Sequence, residues 1–259
     1  MVKLEILDLA DKVVRTFDNQ KDKTFKRYEG GPSPKKVLPT KKGVNRFAWD
    51  FRRNSIPGVA NVFVNGGYGG SSVAPGPYKI RLTVNEETQT KEVILLKDPR
   101  LVEVSQKDFT EQQALLTQID DNLLDIHRSV NNMRKVKKQI KSLQSSLKGQ
   151  EGVDTLVTVG KNLIKSIGEW ENKLIQPNQK TFQDVINFPN QLNAHFMNLK
   201  GKIDSHDPRP TAGVKLRLKE LNDEWASNKA VLEGIISKEV KGYNDLYHKL
   251  KLPALVIPK

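Results

Sequence analysis

A chain of 259 residues, 37% hydrophobic and 28% charged, is long enough for one large or two ordinary domains and apolar enough for a core, which excludes a disordered chain. It has no cysteine, so disulfides, thiolate nucleophiles and cysteine-ligated zinc are excluded. The net charge of +13 divides almost evenly, with 18 Lys/Arg against 11 Asp/Glu in residues 1–98 and 25 against 19 in the rest, whereas a dedicated nucleic-acid reader concentrates its charge on one face.

The first segment, "MVKLEILDLADKVVRTF", alternates apolar and polar residues. It lacks the apolar block and cleavage site of a signal peptide, and nowhere does the chain hold the run of about 18 apolar residues that a membrane helix needs. A strand that opens at the first residue leads us to expect a domain fragment whose upstream part is missing. Val2, Leu4 and Ile6 form one face of this strand, and Val13–Phe17 forms the next. Phe47, Trp49 and Phe51 then share a face, as do Tyr78, Ile80, Leu82 and Val84, and Val93 with Leu95 makes a last strand. Several short strands with Gly/Pro turns in about 100 residues predict an Ig-like β-sandwich over residues 1–98. Asn19–Lys42 is expected as a long loop, and Arg53–Pro77, with its "NGGYGGSSVAPGP", as a flexible excursion.

Residues 99–105 are expected to form a short rigid junction. Pro99 stiffens it, and Leu101, Val102 and Val104 are apolar where a solvated linker would be polar, so they are expected to be buried between the two halves. From Ser105, an N-cap with Asp108 in the first turn, the period becomes helical. Ile119, Ile126, Met133, Ile140 and Leu147 recur at steps of seven, joined by Leu116, Leu123 and Val130, which predicts a helix of about 60 Å. Gly149–Gly152 breaks it. Leu156, Leu163, Ile167, Trp170 and Leu174 make a second stripe, interrupted by Pro177 and Pro189. Leu192, Phe196, Leu199 and Ile203 make a third, and Leu218 to Leu250 a fourth. The lengths fit a long antiparallel three-layer helical bundle over residues 106–250, running up, down and up with a broken middle leg. Residues 251–259 are expected as an extended tail. The fold class is thus multidomain, all-β followed by all-α.

Several stretches resemble one family. "VKLEILDLADKVVRTF", "GVNRFAWDFR" and "APGPYKIRLTV" resemble Ig-like modules of flagellar hook-capping proteins, which also follow the β-propeller in bacterial proteins with BNR or sortilin-like repeats, often labelled glycosyl hydrolases. "KDPRLVEVSQKDFTEQQALL", "LIQPNQKTFQDVINFPNQLNAHFMNLKGKIDSHDPRPT" and "YNDLYHKLKLPALVIP" look like that family's junction, helical corner and C-terminus, so the resemblance spans essentially the whole chain. It departs from the family in lacking the propeller and any Asp-box. The resemblance implies a non-catalytic structural or interaction module, the C-terminal part of a periplasmic or cell-surface propeller protein, with a protein partner or the upstream propeller as its neighbour. The competing expectations are an accessory part of a glycoside hydrolase acting on polysaccharide, and a polyanion-binding helical module.

The residues offer no catalytic constellation and call for no cofactor or metal. Trp49 and Asp50 could bind a sugar, but the alternation with Phe47 and Phe51 assigns Trp49 to the core and Asp50 to a turn cap. Tyr78 is expected to pack its ring and hydrogen-bond a corner backbone group. Gly66, Gly67, Gly69 and Gly70 lack the Gly-Lys-Ser/Thr ending of a phosphate loop. His127, His195, His206 and His248 show no ligand spacing; His127, near Asp120, Asp121 and Asp125, is expected in solvent, and "DSHDPRP" as a loop cap. Arg134–Lys148 is the densest basic run and contains no acid. Its Arg134, Lys135, Lys137, Lys138 and Lys141 are the candidate contacts for a polyanion or a membrane surface, weighed against an ordinary solvated helix face.

Overall fold

A computed structural model describes residues 1–205 and 207–252; most of the expected tail lies outside the described residues. Four strands, β1 (Val2–Leu7), β2 (Val13–Asp18), β3 (Gly76–Val84) and β4 (Glu87–Leu95), form one antiparallel sheet in the order β2-β1-β3-β4. The period-two pattern accounts for its faces. Leu4 lies opposite Leu82, and Ile6 opposite Ile80, so the apolar residues of both strands fall on one side. The Asp8 carboxylate accepts from the N–H groups of Ala10 and Lys12 and closes the β1–β2 turn.

The expected second sheet is absent among the described residues, so the sheet is not closed into a sandwich. Irregular chain covers its apolar face, with Leu38, Phe47, Trp49 and Val73 packed around Ile6, Phe17 and Tyr78. Phe47–Phe51 forms no strand and has no ladder partner. The reason lies at the free edge of β2, which is already occupied. Asn54 N–H donates to Val14 O, the Asn54 side chain accepts from Thr16 N–H, and Leu38 N–H donates to Asp18 O. Phe51 takes a positive φ of 56° and turns away, 51% exposed, while Trp49 stays partly buried and donates from Nε1 to Arg52 O.

Four helical stretches follow. Helix α1 (Gln106–Ser146) starts with the capping box of Ser105 and Asp108, and its apolar stripe is fully buried at Ile119, Leu123, Ile126 and Val130. Gly149 and Gly152, at φ 82° and 77°, turn the chain into α2 (Asp154–Leu174). A 3₁₀ turn at Phe182–Ile186 lies in the corner before α3 (Leu192–Ile203). Helix α4 (Ala212–Gly234) passes through a π-helical turn, Ile235–Val240, into α5 (Lys241–Lys249). Contacts fix the directions. Gln112 reaches Ile203 O while Gln144 reaches Val157 O, so α3 and α2 run antiparallel to α1. Asn122 meets Asn222 and Asp125 meets Lys229, so α4 runs parallel to it.

The largest departure from expectation is the segment Arg53–Pro77. It is a strap rather than a flexible excursion: Ile56, Val59, Val62, Val64 and Tyr68 are buried in the same core as the helix stripes. The helical core therefore draws residues from both sides of the division at residue 98. The junction contributes less. Val104 is buried and Leu101 half-buried, but Val102 is 80% exposed. Two successive turns, Leu101 N–H to Asp98 O and Val104 N–H to Leu101 O, swing Val102 outward. Replacing Ile56 by Ala should therefore cost about 2–5 kcal/mol in urea unfolding, while Val102→Ser should stay within about 0.5 kcal/mol of the parent. A neutral Ile56→Ala would mean that the strap does not belong to the core.

Candidate functional site

The strap is irregular, so its backbone N–H and C=O groups cannot be satisfied by a ladder and need side-chain partners. Helix α1 supplies them from one polar seam at steps of seven. Gln106 Nε2 donates to Pro75 O (2.9 Å) and Gln113 Oε1 accepts from Ala74 N–H (2.6 Å). Asp120 Oδ2 accepts from Ser71 N–H (3.0 Å). His127 Nδ1 donates to Pro57 O (2.7 Å), and Arg134 Nη1 donates to Ala60 O (2.7 Å). Asn131 adds a bond to Gly58 O. The seam runs one residue behind Ile119, Ile126 and Met133, so a single helix turns its apolar stripe to the core and the adjacent polar stripe to the strap.

Two buried carboxylates, Asp120 and Glu171, lock the assembly through their cations. Lys200 on α3 meets Asp120 at 2.7 Å and also donates to Gly69 O. Glu171 on α2 receives Arg134 and Lys137, each at 2.6 Å. A further pair, Arg52–Asp204 at 2.6 Å, joins the sheet side to the end of α3. At Gly70 an added Cβ would come within 2.2 Å of Arg53 O, so glycine there permits two strap segments to touch. Of the glycine cluster, Gly70 serves this backbone approach, while an added Cβ at Gly67 or Gly69 would meet open space; the cluster opens no helix.

His127 corrects the expectation of a solvated ring. It is fully buried among α1, the strap and α3, with Asn193 Nδ2 donating to Nε2 at 3.3 Å. These partners fix the neutral Nδ1–H tautomer, and burial pushes the pKa down to about 4. Tyr78 fulfils its expectation and donates to Ala74 O at 2.7 Å. Asp50 pairs with Lys36 rather than capping a turn. His195 is half-buried and His248 exposed, while His206 lies outside the described residues. Among the described residues no group of three His, Asp or Glu side chains could hold a metal ion.

The candidate basic contacts separate. Arg134, Lys137, Lys138 and Lys141 line one cleft of about 490 Å³ between α1 and α2, with Glu171, Asn172 and Pro177. Lys135 is exposed and does not line it. Arg134 and Lys137 are committed to the buried Glu171, so Lys138 and Lys141 carry the outward charge. The partners Glu171 and Lys200 were not singled out in the sequence, and Asp120 was noted only for its nearness to His127. The legible signal was the seven-residue spacing Gln106, Gln113, Asp120, His127, Arg134 beside an apolar stripe.

No family model, curated protein or solved structure matches the chain, and no helix among the described residues is long and apolar enough to cross a membrane.

The depressed pKa of His127 sets a pH dependence. The unfolded chain, with an ordinary histidine pKa near 6.5, binds the proton more readily than the folded one, so stability is complete above about pH 6.5 and is lost as pH falls toward 4. The loss should reach roughly 3 kcal/mol. Urea titrations between pH 7.5 and pH 4.5 (about one decade above to two below the usual histidine pKa) should show this slope in the parent and a much flatter one in His127→Asn. Equal slopes would remove the assignment.

Proposed function

We propose that the chain is a non-catalytic structural or interaction module that holds a small sheet at a fixed angle to a long helical rod. On this reading it is the C-terminal, Ig-like and helical part of an exported propeller protein of the kind its motifs resemble, and it positions that neighbour or a protein partner. The observation that carries the proposal is the strap: a polar seam over four heptads and two buried carboxylates with their cations are spent on fixing one joint. A joint of this kind opposes swinging and gives a spacer its value. The buried carboxylates Glu5, Asp120 and Glu171 support the same reading, since each is held by cations within the fold. A general acid in a glycosidase needs a raised pKa and a facing carboxylate across a cleft.

Small-angle scattering tests the proposal. The parent should fit one extended shape, and the double variant Ile56→Ser/Val59→Ser should give a broader distribution while keeping its helical circular dichroism. A broad distribution in the parent would defeat the idea of a spacer. Turnover of chromogenic glycosides, abolished by replacing one particular Asp or Glu, would favour the hydrolase-associated reading instead.

A further inference from the structure

We propose that the corner between α2 and α3 is a docking tip for an anionic lipid bilayer. The corner exposes two large apolar side chains, Phe182 (61%) and Ile186 (82%), on its 3₁₀ turn. Side chains of this size normally turn inward, and here the backbone is fixed so that they do not. Buried Gln179 donates from Nε2 to Phe188 O (2.6 Å) and Asn190 Oδ1 (3.2 Å). Gln176 donates to Pro189 O. Asp184 accepts from the N–H groups of Lys180 and Thr181. The tip is therefore preorganised, and little ordering entropy opposes its burial in a partner.

The charges beside it favour an anionic occupant. Lys180 is exposed and its ammonium lies on Pro177 O at 2.6 Å. Pro177 borders the cleft that holds Arg134, Lys137, Lys138 and Lys141. Two carboxylates oppose these cations. Glu171 is buried and bound by Arg134 and Lys137, and Asp184 is engaged by its own loop's N–H groups, which hold its pKa below the usual carboxylate range. Shape then selects the occupant. A convex apolar tip needs a matching cavity in a folded protein, whereas the boundary between headgroups and acyl chains accepts any apolar side chain while cations meet the anionic headgroups. A nucleic acid would satisfy the lysines but leave Phe182 and Ile186 in water. The proposal does not rest on the spacer reading; a protein held near a bilayer by this tip could have any task.

Co-sedimentation with vesicles tests it, using phosphatidylcholine alone against equal parts phosphatidylcholine and phosphatidylglycerol. The parent should bind the anionic vesicles and leave the neutral ones. Phe182→Ser/Ile186→Ser should weaken that binding at least about ten-fold, and Lys138→Gln/Lys141→Gln about twenty-five-fold, at roughly five-fold for each cation lost near the surface. All four side chains are exposed, so both variants should keep the parent's circular dichroism. Failure of the parent to bind anionic vesicles overturns the proposal. So does unchanged binding by Phe182→Ser/Ile186→Ser, which would assign the attraction to general polyanion contact.

Discussion

The hydrogen bonds between the α1 polar seam and the backbone of the strap are the constraint on which the rest of the structure depends. A buried segment without secondary structure is costly unless each N–H and C=O finds a partner. Up to Pro75 the strap forms no strand: its glycines, prolines and close internal contacts leave it irregular, with only the isolated Arg52–Ser72 bridge before β3 begins at Gly76. By meeting it with Gln106, Gln113, Asp120, His127 and Arg134, α1 allows Ile56, Val59, Val62, Val64 and Tyr68 to enter the helical core. The sheet is then placed as a consequence, because the strap begins beside the β2 edge and ends where β3 starts.

The same arrangement redistributes charge. A buried ion pair is weak evidence for stability, since desolvation offsets most of the attraction, but losing one partner leaves an uncompensated charge at a cost of about 3–5 kcal/mol. Asp120–Lys200 ties α1 to α3, and through the Lys200 bond to Gly69 O to the strap, while the Glu171 pairs tie α1 to α2. They also withdraw cations from the surface. Of the acid-free run Arg134–Lys148, Arg134 and Lys137 face inward acids, and the outward field comes from Lys135, Lys138, Lys141 and Lys148.

The last helix keeps one buried face along its length. Its buried positions Leu218, Leu221, Trp225, Asn228, Leu232 and Ile235 follow three-four spacing, and the next, Tyr243, comes eight residues on. Eight residues are two steps of four, so Tyr243 stays on the same side of the helix. The π-helical turn Ile235–Val240 lies between them, and Tyr243 packs beside Gly160 of α2.

The sequence by itself determined the elements whose signal is periodic and local. The β1, β2 and β3 faces and the apolar stripes of the long helices follow from side-chain spacing, and the Ser105 cap and the Gly149–Gly152 break from local residue type, because each of these signals lies within a few residues of chain. The Tyr78 bond to Ala74 O is local as well. Only the tertiary structure decided what covers each face. Phe47–Phe51 has strand alternation but lies without a ladder, since Asn54 and Leu38 hold the β2 edge. Val102 is apolar yet exposed, because two turns set its direction. His127, Asp120 and Lys200 look like surface residues in one dimension, and their burial depends on a strap distant in sequence and on a third helix. Long-range partners of this kind leave no periodic mark on either segment alone, which is why the joint, the basic cleft and the exposed corner emerge only when the helices are packed.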